Sequence, residues 1–222
     1  IAQATSPTRL RVSYVEPHPK RNYVEQWNLS VQRQIAPNLT ATLAYIGNHG
    51  VHMEFRADDM NAVQPSLTSA GWLYPSSGGA TLNPGWGRID NASWGNDSSY
   101  HAFTALVQQN MSHGFLIQGA FTYAKSMDQG SGSYLSDPFN NSISNLFSFS
   151  KTVRRSVSDY DINKVLTISS TWIVPTPKSL PAAADYALGG WQLGGILSVR
   201  SGLPFTPVIS GDPLGVGTDD FD

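Results

Sequence analysis

The chain carries 5 His and 16 Asp+Glu, and their spacing argues against catalysis. His49 and His52 lie three apart, which on an extended strand sends them to opposite faces, so they do not converge on a metal. Asp58-Asp59 and the trio Asp219, Asp220 and Asp222 offer the oxygen ligands a hard cation prefers, but in loops they read as solvated carboxylates. Ser, His and Asp are all present without a Gly-x-Ser-x-Gly elbow to aim a nucleophile. Gln129-Gly130-Ser131-Gly132-Ser133 lacks the lysine and the strand-to-helix setting of a phosphate cradle, and reads as a flexible loop. The expectation is no catalytic residue, no metal, no cofactor and no enzyme. The loop aromatics Trp72, Tyr74, Trp86 and Trp94 remain, since large flat rings can stack on a sugar or another ligand.

The elements that would position those rings follow from composition and pattern. Only 14% of the 222 residues are charged and the net charge is −2, so there is no electrostatic footprint for a nucleic-acid partner. With 20 Gly, 14 Pro and 6 Trp, the chain is polar and uncharged yet rich in side chains that need a structured setting. The absence of Cys removes disulfide scaffolds, Cys-ligated zinc, iron–sulfur clusters and thiol nucleophiles. No run of about 18 apolar residues exists, which excludes a transmembrane helix and leaves a transmembrane barrel open. Beginning at Ile1, with neither Met nor a signal peptide, the chain reads as a mature or processed piece.

Period-two alternation recurs in segments of about ten residues, the length of a tilted membrane-spanning strand. Between Val24 and Gln34, Trp27, Leu29 and Val31 alternate with Gln26, Asn28, Ser30, Gln32 and Gln34. After the turn at Ile35-Ala36-Pro37-Asn38, Leu39, Leu43 and Tyr45 alternate with Thr40 and Thr42 up to Asn48, predicting a hairpin. Val51 to Arg56 continues that strand, and Met60 to Pro84 reads as a long loop. Gly87 to Trp94 is a strand candidate. Beyond Asn96-Asp97-Ser98, Tyr100 to Met111 and Phe115 to Ala124 form a second hairpin about Ser112-His113-Gly114. Ser126 to about Tyr160 is a second irregular stretch. Lys164 to Val174 is a strand, Pro175 to Leu188 a connection with a short turn near Pro181, and Trp191 to Arg200 the last strand. With Arg9 to Val15 the count is roughly eight or nine strands.

Short turns alternating with loops of about 25 to 35 residues fit an outer-membrane barrel, whose short turns face the periplasm. Trp27, Tyr45, Tyr123 and Trp172, near strand ends, would form its interfacial girdle. A soluble β-sandwich alternates in the same way and remains the alternative on this pattern alone.

Ordered motifs narrow the choice. They are Tyr23-Val24-Glu25-Gln26-Trp27-Asn28-Leu29-Ser30-Val31-Gln32-Arg33, Ala44-Tyr45-Ile46-Gly47-Asn48-His49-Gly50, Ser98-Ser99-Tyr100-His101-Ala102-Phe103, Phe121-Thr122-Tyr123-Ala124-Lys125-Ser126-Met127-Asp128, Ser158-Asp159-Tyr160-Asp161, Gly190-Trp191-Gln192-Leu193-Gly194-Gly195-Ile196, and Ser201-Gly202-Leu203-Pro204-Phe205-Thr206. Their succession resembles the barrel of the Oar-like TonB-dependent receptors, abundant in Acidobacteria and their relatives, over about residues 10 to 208. The resemblance implies an outer-membrane β-barrel that takes up a scarce ligand, with TonB as the energy-supplying partner of the parent receptor. Such receptors place a plug domain and a TonB box ahead of a barrel of about 22 strands. Neither is read here, and Asp219-Asp220-Phe221-Asp222 resembles the middle of a loop. The expectation is an all-β antiparallel meander, residues 1–222 forming one partial-barrel segment of a larger receptor, in the bacterial outer membrane or released at the cell surface. Two other functions stay open. One is a self-assembling structural fragment whose copies pair through edge strands into a tube or filament. The other is a soluble glycan-binding surface β-domain.

Overall fold

The computed structural model describes residues 10–57, 59–75, 79–131, 149–176 and 181–205. In chain order the elements are β1 (Val12–Val15), β2 (Tyr23–Ala36), β3 (Leu39–Ala57), β4 (Ser66–Thr68), β5 (Gly71–Leu73), β6 (Ile89–Ser112), β7 (Phe115–Asp128), α1 (Lys151–Arg154), β8 (Ser156–Val157), β9 (Lys164–Ile173), α2 (Ala182–Leu188) and β10 (Gln192–Arg200). The long strands lie in the order β10-β9-β7-β6-β3-β2, each antiparallel to its neighbour. Every neighbour on this path is the next long strand in the chain, which makes the sheet a meander. Along the path β2 and β10 are its two edges.

The predicted hairpins form at the predicted turns, for local reasons. At the β6–β7 turn, His113 and Gly114 both have positive φ, 52° and 78°, the two-residue geometry whose twist matches that of the strands. A Cβ on Gly114 would also stand 2.8 Å from the Ile173 carbonyl oxygen, so that position requires glycine twice over. The β2–β3 turn is closed by the Gln34 amide, which donates to the Pro37 carbonyl at 2.8 Å.

Other expectations are corrected. Gly87 to Trp94 and Tyr100 to Met111 are not two strands but parts of one, the 24-residue β6. Asn96-Asp97-Ser98 does not break it, because the Asp97 N–H donates to Gln129 Oε1 at 2.9 Å and a register shift opposite Met53 and Glu54 absorbs one residue beside Gly95. Across the sheet, β3 has its own irregularity between Gly50 and Met53, where His52 takes φ 54°. β1 pairs with β6 in parallel, an exception in a sheet expected to be antiparallel. The stretch from Met60 to Pro84 holds a small hairpin, β4–β5. The connection near Pro181 is no short turn, since it carries the helix α2. No helix among the described residues is long and apolar enough to cross a membrane.

Burial is lopsided. All 14 residues of β2 and all nine of β10 are exposed, whereas the buried hydrophobic side chains are Phe55, Val63, Ala92, Ala102 and Ala124. These sit toward the end of the sheet that bears the long loops.

Candidate functional site

Residues directly opposite in an antiparallel ladder project to the same face, so the register sorts every side chain of the sheet. One row runs Val31, Leu43, Ala105, Phe121, Leu166 and Val199. The row one step nearer the long loops is Leu29, Tyr45, Phe103 and Tyr123, and near the turns Phe115 stands opposite Trp172 and Trp172 opposite Leu193. These rows are apolar across six strands, with Arg33 and Gln109 as polar exceptions nearer the turns, and Trp27, Leu29, Val31, Leu39, Leu43 and Tyr45 share the face as expected. The opposite face carries Ser30, Ala44, Thr104, Thr122 and Val165 in one row and Gln32, Thr42, Leu106, Ala120, Thr167 and Ser198 in the next. Hydroxyls and amides dominate it, and Thr104 and Thr122 hydrogen-bond across it at 3.2 Å.

Aromatic side chains bound the apolar face at both ends. From Phe115 to Tyr123 the strand rises about 27 Å at roughly 3.4 Å per residue, or about 20 Å of height at a tilt near 40°. That is close to the ~25 Å apolar band of a membrane barrel. At the upper rim Trp27 lies over Gly47, where a Cβ would collide with the indole. Tyr45 Oη lies 2.8 Å from His101 Nδ1 with the two rings stacked.

Above that rim the polar face meets a folded strap, residues 149–161. Ser126 donates its N–H to Asp161 Oδ1 at 2.7 Å, Ser158 donates its hydroxyl to Ser126 Oγ at 2.9 Å, and Ser158 is wholly buried. Asp128 accepts from the Gly130 N–H and the Ser131 hydroxyl, and Ser131 Oγ in turn accepts from the Asp159 N–H. Gly130 and Ser131, expected in a flexible loop, are therefore tied down; Gly132 and Ser133 lie outside the described residues. Lys151 donates to the Gly95 carbonyl. Arg154 is 5% exposed, and its guanidinium carbon sits 3.8 Å over the Phe55 ring while Nε and Nη1 make no hydrogen bond among the described residues. Burial lowers its pKa to about 10. Burial also raises the Tyr160 hydroxyl, helped by the Asp128 charge.

Where strap and polar face meet, Asn48, Ser98, Ser99, Tyr100, Ser126 and Tyr160 line a cleft of about 240 Å³. Its walls hold hydroxyls and an amide with no carboxylate, histidine or cation among them, a chemistry that fits hydrogen bonding to an uncharged polar ligand. No group of three or more His, Asp or Glu among the described residues could hold a metal ion. His49 lies 3.9 Å from Glu25, and His52 Nδ1 is 3.2 Å from the Arg21 carbonyl oxygen.

The aromatics singled out in the sequence do not converge. Trp72 and Tyr74 gather around Phe149, with centroids at 4.8 and 6.4 Å. Trp86 is exposed beside the turn at Asn83. Trp94 is not a loop residue: it lies within β6 and donates its N–H to Glu16 Oε2 at 2.8 Å. Asp59, read as solvated, instead accepts from the Asn61 and Ile89 N–H groups; Asp58, Asp219, Asp220 and Asp222 fall outside the described residues. Sequence reasoning passed over Asn61, which is 1% exposed and binds the backbone of Asn83, Trp86 and Gly87. Nothing in its neighbourhood alternates, so periodicity offered no signal for it.

A family model described as an outer membrane beta barrel domain matches residues 1–221. Comparison with curated proteins and with solved structures finds no match. Apolar on one face and polar on the other, with aromatic rims about one membrane thickness apart, the chain belongs to the outer membrane beta barrel domain family.

Proposed function

We propose that this chain is a wall of a receptor-type transporter barrel of the bacterial outer membrane, taking up a polar solute with energy relayed by TonB, and that it carries no enzymatic activity. The observation that supports uptake over a purely structural barrel is the strap. It is anchored to the polar face by the Asp161 and Ser158 bonds to Ser126 and by the pairing of Ser156 with Asp128, and it leaves a hydroxyl- and amide-lined cleft on that face at the loop-side mouth. A mouth of this kind can hold a solute before it passes inward. The ordered motifs resembling Oar-like receptors point the same way.

The test is uptake by cells with and without the gene, using labelled oligosaccharides and metal chelates, each measured before and after an uncoupler collapses the inner-membrane proton gradient. The proposal expects at least one solute whose uptake falls on both deletion and uncoupling. Uptake unchanged across the panel, with the barrel present in the outer membrane, would overturn it.

Among the described residues no strand pairs with the outer side of β2 or of β10, which favours a second reading, in which copies of the chain pair edge to edge, because open strand edges are templates for further strands. Light scattering separates the two: a large detergent-free assembly supports this reading, and a detergent-embedded single copy opposes it.

A further inference from the structure

We propose that the apolar face carries, at its upper rim, a docking site for the phosphorylated headgroup of an outer-leaflet lipid, formed by Lys125, Lys164, Arg155 and His101. The site goes beyond the transport reading and does not depend on it.

Register places the four together. His101 stands opposite Lys125, and Tyr123, two residues before Lys125, stands opposite Lys164. All lie on the outward face, with the two lysines as diagonal neighbours on β7 and β9. One step farther from the turns, Ser99 stands opposite Met127 and Met127 opposite Val157; there Arg155 reaches over to donate to Ser99 Oγ at 2.8 Å. Lys125, Lys164, Arg155 and His101 are all exposed, and neither lysine forms an ion pair among the described residues. The carboxylates of this face stand away from the cluster. Glu25 is three strands along beside His49, and Asp97 lies farther from the turns than Ser99.

Height then decides what meets the cations. Lys125 and Lys164 are each about ten residues above their turns, or roughly 25 Å at the usual rise and tilt, which is where the apolar band ends and headgroups begin. An isolated cation there could simply snorkel into water. Three basic side chains on neighbouring segments, over a ring-rich floor of Tyr45, Phe103 and Tyr123, instead match a group of concentrated negative charge, and phosphate is the anionic group headgroups supply. The acyl chains would lie down the Phe121–Leu166 stripe. Among the described residues the lower rim has no such cluster: Phe115, Trp172 and Leu193 hold that level, and Arg33, opposite Ala41 near the β2–β3 turn, stands singly.

The experiment extracts the full chain from outer membranes in mild detergent and measures co-purifying lipid phosphate. Removing Lys125, Lys164 and Arg155 together (K125A/K164A/R155A) is expected to lower it roughly tenfold or more, while K125R/K164R and the opposite-rim control R33A retain it. Equal lipid phosphate in wild type and the triple variant, or an equal loss in R33A, overturns the proposal. Should the triple variant fail to fold, the wild-type chain decides alone: reconstituted with a bisphosphorylated glycolipid or its dephosphorylated form, it must retain the first preferentially. Equal retention of both overturns the site.

Discussion

The membrane-height half of the sheet and its loop-side half solve the same problem in opposite ways. Between the turns and Tyr45, Phe103 and Tyr123, the large apolar side chains are outside. Leu29 is 68% exposed and Val31 64%, and hydrocarbon, not protein, is their solvent. Above Ser126 the arrangement reverts to that of a soluble protein, with Phe55 and Ala92 buried, yet the most enclosed side chains there are Asn61 and Ser158. The first half is held by ladder hydrogen bonds and by the bilayer. The second is held by specific polar locks that survive burial because nearly all are paired. Damage should therefore be insensitive to local geometry in the first region and highly position-specific in the second.

The largest expected effect tests the first region. Leu43→Lys or Ile168→Lys, near the middle of the apolar face, should each cost about 2–4 kcal/mol in urea titrations of the chain folded in lipid vesicles. Thr42→Lys, one residue away on the polar face, should cost far less. Equal costs at positions 42 and 43 would break the comparison. In the second region, Asp161→Ala strands the buried Ser126 N–H and should cost about 1.5–3 kcal/mol, seen as faster amide exchange at Ser126 and Ser158 with the membrane-height ladder unchanged. A loss spread evenly over the sheet would mean that the two halves are one cooperative unit. Gly47→Val, at the rim between them, should displace the Trp27 ring at a cost of about 1 kcal/mol, read as a red shift of its fluorescence.

The smallest effect is a pH dependence. Burial alone would push the Asp90 carboxyl up, but hydrogen bonds and charge from Arg11 and Arg88 outweigh it and hold it below its ordinary 3.8. A depressed carboxyl stabilises the fold above the unfolded pKa, and that contribution disappears as pH falls through the folded value. The β1–β6 pairing, tied by Arg11 Nε to Asp90 Oδ2 at 2.8 Å, should thus lose amide protection below about pH 3.8, while β7 and β9 do not. Protection of Val12 that is flat across that range would remove the ion pairs from the account.

The same division explains what could be read from the sequence. The membrane-height strands are governed by one rule with period two, so Trp27 through Val31 and Phe115 through Tyr123 declared their faces, and the hairpins followed from Pro37-Asn38 and His113-Gly114. The loop-side half obeys no period. Asn96-Asp97-Ser98 looked like a turn because its residue types favour turns, yet a side chain 32 positions away in sequence, Gln129, satisfies the backbone there. Trp94 was misplaced for the same reason. Asn61 and Arg154 carry no local pattern at all, since each is defined by partners from other segments. The basic rim was equally hidden: Lys125, Arg155 and Lys164 are distant in sequence, and only the register sets them side by side.

The turn at His113-Gly114 has a kinetic consequence. With both residues already in the left-handed region the strands need search almost no loop-closure entropy, which grows only slowly with loop length but is least for such a turn. β6 and β7 can therefore zip on the microsecond scale of an isolated hairpin, whereas joining β9 to β7 must wait for the whole connection from Gln129 to Asn163 to close. Each completed pair exposes one fresh edge to the next strand in the chain, so a meander assembles in sequence order without crossing its own path. A stall after β7, trapped by pairwise crosslinks between cysteines introduced into a chain that has none, would mark that long connection as the slow step of membrane entry.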